Sequence, residues 1–198
     1  MATTIVSNNT ATTFGNAPQK TAEPPHHVIS YGGAALTFDG VSDYVTSNPP
    51  FATLDATTAF TVAMWVNADS TGVNQAMTSL SSVTNSIFIG TYSSKFLFSR
   101  YTASYSDILG QKTDDNYVAG KWYRLVCTYD GSQTDAGFKI YLNGVLANST
   151  STNSGFSANI NNKVSIGRVD RSSSTADFAG KICDWQLWSS VWSLSDVV

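Results

Sequence analysis

From Lys121 to Leu142, apolar and polar side chains alternate with a period of two. Tyr123, Leu125, Cys127 and Tyr129 share one parity, Arg124 and Thr128 the other. Past an Asp130-Gly131 turn, Phe138, Ile140 and Leu142 alternate with Lys139 and Tyr141. Successive side chains of a strand point to opposite faces, so each run reads as a half-buried strand. Asn143-Gly144 then closes a tight hairpin, because both residues tolerate positive φ and the turn twist matches that of the strands. The same pattern predicts strands at 35–39, 44–47, 60–68, 76–81, 87–92, 95–101, 121–129, 137–142, 145–149, 163–167 and 178–188. Asp39-Gly40, Asn48-Pro49-Pro50, Ser93-Ser94, Asp130-Gly131 and Asn161-Asn162 are the turn formers between them. Many short strands punctuated this way predict an all-β fold, a sandwich of two antiparallel sheets. Phe60, Val62, Met64 and Val66 share one parity, which puts Trp65 on the outer face of its sheet. Ser193 and Asp196 have the spacing of a capping box and predict one helical turn.

Residues 1–30 break this pattern. They are rich in Thr, Asn, Ala and Pro, with isolated apolar residues at Ile5 and Phe14 and a stiff Pro24-Pro25 pair. The segment reads as an extended N-terminal arm, and residues 31–198 as the body. An arm with so little to bury does not order itself, so it is expected to rest on its own body or on a neighbouring subunit. Ile5, Phe14, Pro24, Pro25, His26 and His27 are its candidate contacts. The histidine pair has two readings, a titrating or metal-touching pair at an interface and a solvated pair. The first residues carry no basic and apolar leader pattern, which predicts a chain made in a cytoplasm or one given without its leader. The sequons at Asn8 and Asn148 carry little weight in that setting. No apolar run is long enough to span a bilayer, so no membrane insertion is expected.

Charge adds an exclusion. Only 13% of the 198 residues are charged and the net charge is -3. No basic stripe appears, so a nucleic-acid partner is not expected. The cysteines, Cys127 and Cys183, both fall on apolar-facing parity and have two readings, a pair of small buried thiols and a single bridge between strands.

The chemistry of turnover is missing from the body. The one glutamate is Glu23 and the two histidines are His26 and His27, all in the arm. Glycoside hydrolysis uses two carboxyls about 5–9 Å apart, and no Asp-x-Asp pair lies on a predicted strand. A Ser-His-Asp or Cys-His nucleophile needs a body histidine. The chain is expected not to be an enzyme.

LTFDGVSDYV, AFTVAMWVNA, GKWYRLVCTYDG, FKIYLNGVL, VSIGRV and FAGKICDWQLWSSVWSLSDV follow one another between residues 36 and 197. In that order they resemble the laminin G-like jelly roll of the concanavalin A-like lectins and glucanases. The resemblance covers about residues 34–197 and implies a jelly-roll sandwich. It also implies one structural calcium, with Asp39 and Asp184 as the matching ligands on first and last strands that pair. Cys183 stands where the family often has another Asp. The alternative has Asp39 opening a turn and Asp184 bonding backbone, with Asp43 bracing the turn before Tyr44. The fold's glucanases draw their acids from glutamates alternating along one strand, which this body lacks.

Sugar sites set aromatic faces beside amide and carboxylate groups. Trp65, Tyr101 and Tyr105 are the foremost candidates for glycan contact, followed by Tyr92, Tyr117 and Trp122, while Trp185, Trp188 and Trp192 are expected to pack the closing strand. The expected function is that of a non-catalytic structural and binding protein. Its expected place is the surface of a bacteriophage virion, as a capsid decoration or head-associated protein. There residues 1–30 would bind other subunits of the assembly and the body would adhere to glycans. The alternative is a carbohydrate-binding or adhesion module of a secreted, extracellular protein.

Overall fold

The structure, a computed structural model, describes the backbone of Thr3–Ser7, Ala11–Phe14 and Phe51–Leu54 and residues 35–47, 57–81, 86–101, 108–148, 160–169 and 176–198. Its strands are β1 (Thr3–Ser7), β2 (Ala11–Phe14), β3 (Leu36–Asp39), β4 (Val45–Ser47), β5 (Phe51–Leu54), β6 (Phe60–Ala68), β7 (Gln75–Ser81) and β8 (Ser86–Tyr92). They continue with β9 (Lys95–Tyr101), β10 (Ile108–Lys112), β11 (Trp122–Tyr129), β12 (Phe138–Leu142), β13 (Val145–Leu146), β14 (Ile160–Ile166) and β15 (Ala179–Trp188).

Among the described residues they form two antiparallel sheets. One runs β13-β12-β11-β6-β15-β3; the other runs β10-β9-β8-β7-β14-β4-β1-β2, with β5 also paired to β14. The alternation explains the stacking. Phe60, Val62, Met64 and Val66 of β6 join Tyr123, Leu125, Cys127 and Tyr129 of β11 and Phe138 and Ile140 of β12 in one core. From the other sheet Met77, Leu80, Ile87, Ile89, Phe96, Phe98, Val164 and Ile166 meet them. The expected sandwich is what the chain forms.

Several boundaries differ from expectation. β5 and β10 lie where no strand is predicted. β13 stops at Leu146 instead of reaching residue 149. Beyond it the Asn148 side chain accepts a bond from the Ile140 amide at 2.6 Å and takes over the pairing. Asn161-Asn162 is part of β14 instead of a turn, because Asn162 pairs with Phe51 across a local irregularity in register. The closing helical turn, Leu194–Val197, is capped as its spacing predicts: Asp196 Oδ2 accepts from both the Ser193 amide and the Ser193 hydroxyl.

Against the expectation that both cysteines face the core, they face opposite sides of one sheet. Cys127 points into the core opposite Val62, whereas Cys183 pairs with Trp65 on the outer face, and both thiols are free. Burial pushes the Cys127 thiol well above its ordinary value. In the N-terminal segment β1 pairs with β2 and with β4, Ile5 standing opposite Ser47 and Phe14 opposite Thr3. Pro24, Pro25, His26 and His27 lie outside the described residues. No helix among those described is long and apolar enough to cross a membrane.

Candidate functional site

The outer face of the six-stranded sheet is a ladder of cross-strand rows read from β11 through β6 to β15. The rows are Trp122–Asn67–Lys181, Arg124–Trp65–Cys183, Val126–Ala63–Gln186 and Thr128–Thr61–Trp188. The chain's own C-terminal segment covers the last two. Val197 packs with Ala63, Val126 and Tyr141, and Trp192 lies against that cluster. The Thr61 hydroxyl donates to the Ser190 carbonyl at 2.7 Å and accepts from the Trp192 amide at 3.0 Å, clamping the segment down. In the first two rows Trp122, Trp65, Arg124 and Cys183 are half-buried and Lys181 is exposed, while Asn67 is buried.

A bulge in β15 shapes the open half. Register slips between Cys183 and Gln186, and Asp184 takes a left-handed backbone with φ of 50°. Such bulges re-aim a side chain, and Asp tolerates the conformation better than most residues. The re-aimed carboxylate meets Arg124 Nη1 at 3.3 Å and accepts from Gln186 Nε2 at 2.7 Å. Gln186 Oε1 in turn accepts from Trp188 Nε1 at 3.0 Å, and the Arg124 guanidinium lies 5.8 Å from the Trp192 ring. The pair is largely withdrawn from water, with side chains 12% and 18% exposed.

The five indoles divide into two kinds. Trp185 packs on the main core, and Trp188 and Trp192 meet edge to face at 5.7 Å. Trp65 and Trp122 are half-buried, belong to none of the apolar clusters, and donate no Nε1 hydrogen bond among the described residues. They are apolar surfaces with polar neighbours and no internal employment.

The other sequence candidates lie elsewhere. Tyr101 sits on the outer face of the opposite sheet, edge-on to Phe88 at 5.9 Å, so the core separates it from Trp65. Tyr105 lies outside the described residues. Tyr117 is buried, stacks on Phe96 at 4.9 Å and donates its hydroxyl to the Ser70 carbonyl at 2.8 Å, a structural role. Tyr92 is 44% exposed at a hairpin tip, with Lys112 Nζ 5.2 Å from its ring centre.

Asp39 and Asp184 do not meet. The first and last body strands do pair, but Asp39 stands opposite Ala179, five residues before Asp184 on β15. At 3.3 Å per residue the two are on the order of 15 Å apart. Asp39 Oδ1 accepts from the amides of Val41, Ser42 and Asp43. Asp184 is held by Arg124, so this donor set does not fit one shared calcium ion. Among the described residues no group of three or more His, Cys, Asp or Glu side chains converges on a point.

Those amides, Ser42 first, then Val41 and Asp43, lower the Asp39 pKa from 3.8 to about 2. A carboxylate depressed in the folded state adds stability above its unfolded pKa and loses it as pH falls toward the folded one. The melting temperature is therefore expected to fall between about pH 4 and pH 2, and Asp39→Asn to flatten that fall, in thermal melts across the range. An unchanged slope in the variant would discount this turn.

The sequence profile of the concanavalin A-like lectin/glucanases superfamily matches residues 39–198. A search of curated protein sequences gives no match. Among solved structures the chain is similar to domain 4 of AbnA, an extracellular arabinanase of Geobacillus stearothermophilus, in complex with arabinotriose. That similarity has TM-score 0.60 and 16% identity, over 85% of this chain and 77% of that one. It is also similar to a heptameric SAP-like pentraxin of Limulus polyphemus, at TM-score 0.55 and 17% identity over 81% and 78% of the two chains. The binding domain of botulinum neurotoxin DC in complex with SialylT gives TM-score 0.59 and 14% identity, over 82% of this chain but 40% of that one. At these identities the structures speak for the fold, and the profile for the family. With four-fifths of its length matched and the two-sheet sandwich in place, the chain belongs to the concanavalin A-like lectin/glucanases superfamily.

Proposed function

We propose that this chain is a non-catalytic glycan-binding domain whose binding surface is the open half of the six-stranded sheet's outer face. One observation carries the reading: Trp65 and Trp122 are half-buried on an outer face without a side-chain hydrogen bond or ring contact among the described residues, and Arg124, Asp184 and exposed Lys181 supply polar groups beside them. An indole face suits the C–H face of a sugar ring, and the surrounding donors and acceptors suit its hydroxyls. The arabinotriose and SialylT complexes of two similar folds lend support. Hydrolysis would need a protonated carboxyl facing a second one. Here the Asp184 carboxylate is tied to a guanidinium.

A glycan array probed with the full chain tests this. Binding to at least one glycan class is expected, weakened about tenfold or more by Trp65→Ala, with no new reducing ends released. Undiminished binding by the variant would move the site elsewhere.

For the setting of this domain we propose the surface of a phage particle, with residues 1–30 as the tether. What supports it is the polar, proline-containing composition of that segment and the position of β2 at the end of its sheet's strand order. A chain lacking residues 1–30 would then keep its glycan binding and lose the particle.

A further inference from the structure

We infer that the site takes two consecutive residues of a linear glycan chain, one ring against Trp65 and the next against Trp122, and is not built for a single terminal sugar. The inference rests on the glycan-binding reading and adds to it the length and presentation of the ligand. Trp122 stands opposite Asn67 on β6, and Trp65 stands opposite Arg124 on β11. The two indoles are therefore diagonal neighbours across adjacent antiparallel strands, their residues about 7–8 Å apart and the Cβ atoms somewhat closer. One sugar ring covers one indole face and cannot lie on both. The two rings also do not stack on each other or on any other aromatic ring among the described residues, unlike Trp188 and Trp192.

Each indole has its own polar neighbours. Trp65 lies between Arg124 and Cys183, one residue before the re-aimed Asp184. Trp122 lies beside Asn67, which is buried with its amide donating to the Gly120 carbonyl at 2.8 Å, and exposed Lys181, next in the row, supplies the polar group. The arrangement is two indole subsites on adjacent strands, Arg124 and Asp184 beside one and Lys181 in the row of the other. Both stand on strands of the sheet, not on loops, so the spacing between them is fixed by the β6–β11 pairing. A ligand that engages both gains the second contact intramolecularly, without a second loss of translational freedom.

Length dependence reads this directly. The full chain is titrated with arabino-, xylo- and malto-oligosaccharides of one to five residues by calorimetry. Affinity is expected to rise about tenfold or more from one residue to two and then to level off. Trp122→Ala should bring the disaccharide down to the level of the monosaccharide, while Trp122→Tyr should restore part of the gain. Melting curves of the variants check that the fold is intact. Monosaccharides binding as tightly as their oligomers, or length dependence untouched by Trp122→Ala, would overturn the inference and leave the glycan-binding reading standing. No binding of any of these sugars, together with a blank array, would overturn both.

Discussion

Replacing Phe60 by alanine is expected to remove about 3–5 kcal/mol of folding stability, the range for emptying a buried aromatic site. Phe60 is 1% exposed and opens β6 opposite Tyr129. Its ring meets Phe98 of the other sheet edge to face at 5.9 Å and Tyr129 at 5.6 Å. Phe98 and Tyr129 in turn pack on Phe138 at 4.8 Å and 4.5 Å. Four rings thus join the two sheets at one point, and the truncation leaves three of them around a void. Domains have about 5–15 kcal/mol in hand, so this one change takes a large share. For a chain of this size each kcal/mol moves the midpoint by about 2–4 °C, so a fall of about 10 °C is expected in a thermal melt. Phe60→Leu, which refills most of the volume, should lose far less. A loss under about 1 kcal/mol for the alanine variant would mean that the sheets are held elsewhere.

The second large effect is expected at Arg124. An exposed ion pair contributes about 0–1 kcal/mol, whereas stranding one partner of a buried pair costs about 3–5 kcal/mol. The Arg124–Asp184 pair lies between these limits, mostly covered and open at one side. Arg124→Ala should therefore cost about 2 kcal/mol in urea unfolding, because it leaves a mostly covered carboxylate in a strained bulge and takes the cation from beside Trp192. Asp184→Asn should cost less, since Asn also tolerates the left-handed backbone and can still accept from Gln186. A double-mutant cycle isolates the pair. Coupling of about 1 kcal/mol or more is expected, and additivity would show that the two side chains stand together without depending on each other.

Much of this architecture was legible before any geometry. Parity alone put Val62 and Met64 inward and Trp65 outward, and the strands through β6, β9, β11 and β12 emerge within a residue or so of expectation. The unread strands have local reasons. β10 has Gly110 at its centre, which reads as a break. In the fold an added Cβ there would collide with the carbonyl of Phe98, so the glycine is what lets β10 approach β9. β5 follows Pro49-Pro50, which reads as the continuation of a loop.

The site was only half legible, for a different reason. Trp65 and Arg124 show their outward parity in sequence, but which residues stand beside them depends on the register of β6 against β11 and β15, a long-range property. The bulge at Asp184 hides the rest. It breaks the alternation of β15 so that Gln186 and Trp188 face out while Leu187 faces in, and no local residue pattern announces it. The same register places Asp39 opposite Ala179, far from Asp184, which the pairing of first and last strands could not reveal by itself.

Sugar bound on Trp65 and Trp122 would report itself through their indoles. Each of the five tryptophans contributes one indole N–H signal to a nitrogen-correlated NMR spectrum, assignable by substitution. On titration with an oligosaccharide the Trp65 and Trp122 signals are expected to shift together while that of core-packed Trp185 stays in place. Shifts confined to β8 and β9 around Tyr101, with both outer-face indoles unmoved, would contradict binding there.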